Sequence, residues 1–221
     1  MLIQKENYTH LIEEVSSKNA TLVAVSKTKP PAAIQELYDL GQRDFGENYV
    51  QEMVDKQAVL PPDIRWHYIG HLQSNKVKYI APFVHLIHGI DSLKLLKEVN
   101  KQAQKQSRVI PVLLQVHIAK EETKFGLNED ELQSLLHSPD LKEMYNVVIK
   151  GLMGMASFSD DRSVVQEEFK TLKSLFNQFS SVSLPNCQFE TLSMGMSGDY
   201  NLALEQGSNL VRIGSLLFGS R

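Results

Sequence analysis

The stretch TLVAVSKTKPPAAIQELYDLG, residues 21–41, opens with a β-branched apolar run, turns through SKTKPP, and continues with apolar residues at helical spacing between Pro30-Pro31 and Gly41. It reads as a buried strand followed by a helix that proline starts and glycine stops. The same pairing recurs along the chain. Strand-like runs at 43–48, 65–70, 84–90, 108–118, 146–156, 187–195 and 209–219 alternate with helical stretches, after an opening helix over residues 4–17. Near-continuous apolar strands joined by helices imply parallel pairing with both sheet faces covered. Eight such units predict an α/β fold, a closed (β/α)8 TIM barrel. No Gly/Ser- or Pro-rich linker divides it, so one domain over residues 1–221 is expected. The alternative, an open doubly wound sheet, often carries a glycine fingerprint at its first turn, and SKTKPP holds no glycine.

Composition narrows the function classes. Of 221 residues, 42 % are apolar and 22 % charged, which indicates a packed globular protein rather than a disordered one. A net charge of -3 leaves no electrostatic footprint for nucleic acid or an anionic membrane, so an anionic ligand needs a local site. Cys187 is the single cysteine, which excludes an intrachain disulfide and a four-cysteine zinc site. The opening MLIQKENYTHLIEE lacks the apolar segment of a signal peptide, and no run approaches a membrane span. A cytoplasmic protein is expected.

A TIM barrel builds its site at the C-terminal ends of its strands. The polar residues there are Lys27, Glu47 and Asn48, Gly70 and His71, His88, His117, Ser157, Ser193 and Ser197, and Arg212, Gly214 and Ser215. Period two along TLVAVSK puts Val23, Val25 and Lys27 on one face and Leu22, Ala24 and Ser26 on the other, so Lys27 continues a barrel-facing row. A lysine there is either a desolvated amine able to attack a carbonyl or the ion-pair partner of Glu47. Lys29 lies past the strand, directly before Pro30, and is expected at the rim, facing solvent or shielding a phosphate. SMGMSG (193–198) and RIGS (212–215), after the seventh and along the eighth strand, offer amides, hydroxyls and glycines for close approach, as a phosphate cup requires. Glycine and serine are equally plain turn residues. Arg212 shares a face with Gly214, and an inward arginine beside a ring nitrogen keeps that nitrogen unprotonated. Lysine, phosphate cup and arginine together fit pyridoxal 5'-phosphate (PLP). A metal-dependent hydrolase would need clustered ligands, and His67 and His71 do not converge from a strand.

The blocks AVSKTKP (24–30), FGENYVQE (45–52), WHYIGHLQSNK (66–76), LLQVHIAKEETKFGL (113–127), GLMGMA (151–156), LSMGMSGDY (192–200) and VRIGSLLFG (211–219) resemble, in order and spacing, the pyridoxal phosphate homeostasis protein family. The resemblance implies a single barrel like the N-terminal domain of alanine racemase. It further implies the cofactor as an imine (Schiff base) on Lys27, Arg212 facing the pyridine nitrogen, Ser193, Gly214 and Ser215 holding phosphate, and Asn48 near the cofactor. The resemblance also implies a role in keeping intracellular PLP available yet bound, with PLP-dependent apoenzymes as expected recipients and no firmly assigned catalytic turnover. The alternative is a PLP-dependent amino-acid racemase. Racemisation needs a second base, which alanine racemase takes as a tyrosine from a C-terminal domain; here His71, His88 or Tyr200 would have to serve. A monomer without nucleic-acid or membrane partners is expected. Two positions depart from the family's pattern: His117, where VNI is common, and Tyr68, where WHFIG is common.

Overall fold

In the computed structural model, which describes residues 2–120, 125–182 and 184–219, the apolar runs form β1 (Thr21–Val25), β2 (Asp44–Glu47), β3 (Arg65–Tyr68), β4 (Leu86–Ile90), β5 (Ile110–Val116), β6 (Val147–Gly154), β7 (Cys187–Ser193) and β8 (Leu210–Ile213). They pair in parallel in chain order, and β8 closes on β1 through Val23↔Arg212 and Ala24↔Ile213. Around this barrel lie α1 (Lys5–Ser17), α2 (Pro31–Asp39), α3 (Val50–Gln57), α4 (Val77–Ile80), α5 (Leu93–Lys105), α6 (Glu129–Leu136), α7 (Arg162–Phe179) and α8 (Tyr200–Glu205). The α/β TIM barrel expected from the sequence is the observed fold. No helix among the described residues is long and apolar enough to cross a membrane.

Strand period sorts the side chains into two cores. Val23, Leu86, Leu113, Met153 and Leu210 pack together inside the barrel, whereas Leu22, Ala24 and Phe45 join the larger cluster between sheet and helices. The inner face of β1 is therefore the one that leads to Lys27.

The last run departs from expectation. The sequence reads as strand over 209–219, but β8 stops at Ile213 and Ser215–Phe218 form a helical turn, α9. The amides of Leu217 and Phe218 turn back onto the Gly214 carbonyl. A short apolar run satisfies either period, and the glycine breaks it. Residues 121–124 of the block 113–127 lie outside the described residues.

Candidate functional site

β1 ends two residues before Lys27. The chain then makes a turn over Ser26–Lys29, closed by the Lys29 amide on the Ser26 carbonyl at 3.0 Å. Lys27 takes the second position of this turn, half-buried at the C-terminal end of the barrel, and Thr28 the third, with φ 64°. A left-handed backbone is costly for a β-branched residue. The ion pair weighed for Lys27 is made by another lysine: Glu47 accepts from Lys56 Nζ at 2.7 Å and from Ser26 Oγ at 2.6 Å. Glu47 shares the outward parity of Phe45, which explains its partner on α3. Lys29 also departs from expectation. It is half-buried, and its Nζ donates to the carbonyl of Phe218, the last residue of α9, at 3.2 Å.

Arg212 enters the interior from β8. Its Nη1 donates to the carbonyl (2.9 Å) and hydroxyl of Ser193, and its Nη2 to the Gly154 carbonyl at 3.0 Å. Burial pushes the guanidinium down to about 10, with Asp199 opposing, so it remains a cation with hydrogens only to give. Behind it runs a line of bonds through the barrel. Ser193 Oγ meets His88 Nδ1 at 3.1 Å, His88 Nε2 meets His67 Nδ1 at 2.9 Å, and His67 Nε2 meets Asp44 Oδ1 at 3.0 Å. Burial alone would raise Asp44, but hydrogen bonds from Arg65 and His67 hold its carboxyl well below the usual carboxylate range, so this end only accepts.

One end of the line only gives hydrogens and the other only accepts them, so His67 Nε2 gives its hydrogen to Asp44. Ser193 is fully buried with its hydroxyl bonded to Arg212 and His88, which sets it beneath Arg212 rather than beside the exposed Ser215. Asp44, His67 and His85 bring ligand atoms within 4.8 Å of one another, yet the Asp44 oxygens are already bonded to Arg65 and His67.

The remaining expected residues gather at the same mouth. The Gly214 amide donates to Ser197 Oγ at 3.2 Å, joining the loops after β7 and β8. Gly214 lies on Val25, whose Cβ would stand 3.4 Å from an added Cβ, so this loop touches the strand that carries the Lys27 turn. Ser215 follows it, exposed. Asn48, half-buried after β2, keeps a buried Oδ1 with no hydrogen-bond partner among the described residues. A cavity of about 500 Å³ opens beside it, walled by Tyr49, Tyr68, His71 and Lys76.

Of the possible second bases, His88 is inside the line just described. Tyr200 donates its phenol to Glu14 at 2.9 Å, toward α1. His71 sits at the rim, 3.3 Å from Asp91 and stacked on Phe125 at 4.4 Å. Ser157 is bonded to Glu168 at 2.6 Å, and His117 is half-buried just past β5. Asp44, Arg65, Glu52 and Lys56 escaped the sequence reading; period two along DFGE and RWHY is the signal that puts Asp44 and His67 on the inner face.

Residues 4–221 match the family described as alanine racemase, N-terminal domain. The chain is 41 % identical over 206 residues to the pyridoxal phosphate homeostasis protein of Aquifex aeolicus, covering 91 % of this chain and 87 % of that one. It is 38 % identical over 210 residues to the protein of the same name from Escherichia coli K12, at 93 % and 88 % coverage. Among solved structures, PipY of Synechococcus elongatus without PLP matches with TM-score 0.90 at 36 % identity, over 97 % of this chain and 99 % of PipY. Its PLP-bound form matches at 0.87 and 35 % identity over the same shares. Alanine racemase of Bartonella henselae shares the barrel: TM-score 0.70 at 22 % identity, with 95 % of this chain laid on 56 % of that one. Barrel, lysine turn and full-length similarity agree, and the chain belongs to the pyridoxal phosphate homeostasis protein family, built on the alanine racemase N-terminal fold.

Proposed function

We propose that this chain is a single-domain carrier of pyridoxal 5'-phosphate, with Lys27 as the covalent attachment point. Arg212 is the partner of the ring nitrogen, Gly214 and Ser215 with the Ser197 loop hold the phosphate, and Asn48 lies beside the cofactor. One observation carries this reading: the Lys27 turn, Arg212 and Gly214 meet at the adjoining ends of β1 and β8, with Arg212 in register with Val23 and Gly214 against Val25. The donor set fits. Among the described residues Arg212 is a buried cation bonded to carbonyls and a hydroxyl, and Asn48 keeps an unpartnered acceptor. The PLP-bound structure of the 35 % identical PipY supports PLP as the cofactor.

When bound, the cofactor supplies an aldehyde to a lysine amine and a phosphate to hydrogen-bond donors. The chain's own residues then favour holding over catalysis. Arg212 has only hydrogens to give, so it leaves the ring nitrogen unprotonated and weakens the electron sink that substrate chemistry needs. Tyr200 is turned to Glu14 and His88 is sealed in the interior, which leaves only His71, held at the rim by Asp91, of the three bases considered. Relatives named for homeostasis support the same reading. A cytoplasmic monomer that passes PLP to PLP-dependent apoenzymes, without nucleic-acid or membrane partners, completes it.

The test is chemical. PLP is added to the purified protein, the adduct is reduced with borohydride, and the modified lysine is mapped by mass spectrometry. The label should fall on Lys27; Lys27→Ala should lose the visible absorbance of the lysine-bound cofactor and Lys29→Ala should keep it. A colourless, unmodified protein, or label on Lys29, overturns the assignment.

A further inference from the structure

Lys56 is 4 % exposed, although it is a lysine on a short amphipathic helix. Its Nζ spends all three hydrogens: on the Ser26 carbonyl at 2.8 Å, on Glu47 Oε1 at 2.7 Å and on Glu52 Oε1 at 2.7 Å. Glu52 Oε1 also accepts the Thr28 amide, and Glu47 Oε1 accepts the Ser26 hydroxyl. Three groups of the Lys27 turn are therefore held from behind by one ammonium and its two carboxylates. None of these side chains is among the cofactor contacts proposed above.

Burying such an assembly is expensive compared with an apolar contact of the same volume. Burial pushes Glu47 up, while Lys56 and Ser26 pull the other way. Beside it stands Thr28 at φ 64°, a conformation that persists only where the surroundings over-determine it. The charged assembly grips Ser26 on one side of Lys27 and Thr28 on the other. An αL residue at the third position of the turn sets the direction in which the second residue points.

We propose that Lys56, Glu47 and Glu52 are positioning residues that hold the Ser26–Lys29 turn so that Lys27 enters the barrel mouth before any cofactor arrives. The proposal rests on Lys27 as the attachment point, but the clamp is a property of the protein without ligand. Released from it, Thr28 relaxes to negative φ and Lys27 leaves the barrel-facing row.

The decisive variants spare the buried Lys56–Glu47 pair. Glu52→Ala removes the acceptor of the Thr28 amide from a half-buried position. Glu52→Gln keeps a carbonyl acceptor there, and Thr28→Asn supplies a residue that takes left-handed backbone at lower cost. Two readouts are taken on each: amide hydrogen exchange at Thr28 and Lys29 in cofactor-free protein, and the fraction of Lys27 trapped by PLP and borohydride. Glu52→Ala should speed exchange and weaken trapping by about tenfold or more, Glu52→Gln should behave as the parent, and Thr28→Asn should recover most of the loss in the Glu52→Ala background. Unchanged exchange and trapping in Glu52→Ala would overturn the clamp. So would a loss that tracks a lowered Tm and is restored by neither Gln nor Asn. If the parent chain takes no PLP, the functional reading fails, and the exchange measurement alone still decides the clamp.

Discussion

Arg212 gives hydrogens and Asp44 takes them, and three side chains link them through the barrel. His88 is the point of that arrangement most vulnerable to mutation, although it is fully buried. His88→Leu removes one partner of the Ser193 hydroxyl and the partner of His67 Nδ1 in the interior, a predicted loss of about 2–4 kcal/mol. Urea denaturation at pH 7.5 measures it. The same residue predicts a pH dependence. Full burial holds His88 well below 6.5, and the neighbouring His67, Arg212 and His85 add to that. The unfolded chain binds a proton there below about pH 6.5 and the native protein does not. Stability therefore falls on acidification through that value, by no more than about 1.4 kcal/mol per pH unit for one proton. The leucine variant lacks this term, so its stability gap from the parent should narrow between pH 7.5 and pH 5.5. A gap that stays constant would mean that native His88 accepts a proton.

At the scale of elements, the ends of strands matter more than their middles. The middles were legible: period two along β1 placed Val23 inside and Leu22 outside, and both lie there. The ends were not, because a short apolar run with a glycine in it satisfies a strand and a helical turn equally. Hence 209–219 reads as one strand although Ser215–Phe218 turn into α9, and Lys29, which reads as a rim residue, closes the last carbonyl of that turn. Gly70 shows how tightly two ends meet. A Cβ there would stand 2.3 Å from the Asn48 carbonyl oxygen and 2.8 Å from its Cα, and backbone cannot swing aside as a side-chain tip can. Gly70→Ala should force β2 and β3 apart beneath Asn48, cost about 1–3 kcal/mol as overpacking does, and weaken PLP trapping at Lys27. Gly198→Ala is the control for stability: nothing lies within 4 Å of its added Cβ, so Tm should stay at the parent value. Trapping left unchanged by Gly70→Ala would remove Asn48 from the site.

Closure of β8 onto β1 makes the whole molecule the unit of function, since it brings Lys27 and Arg212 from opposite ends of the chain to adjoining strands. Which residues point inward follows from strand period; which of them bond to one another depends on register across the interior, between strands that are not neighbours. That is why Lys27 and Arg212 could be singled out from the chain, whereas the line from Asp44 through His67 and His88 could not. Lys56 was hidden for another reason: a charged residue on an amphipathic helix reads as solvent-facing, and only the fold shows it turned under the Lys27 turn. The same closure bears on turnover. A racemase needs bases on both faces of the substrate carbon, and in this barrel Tyr200 is bonded to Glu14 and His88 is buried, leaving His71 at the rim with Asp91. PLP-loaded protein incubated with L-alanine in D2O should therefore form no D-alanine beyond what free PLP produces, by chiral analysis, and Tyr200→Phe should change nothing. Rapid inversion that disappears in His71→Asn would instead make the protein an enzyme, with His71 as the second base across from Lys27.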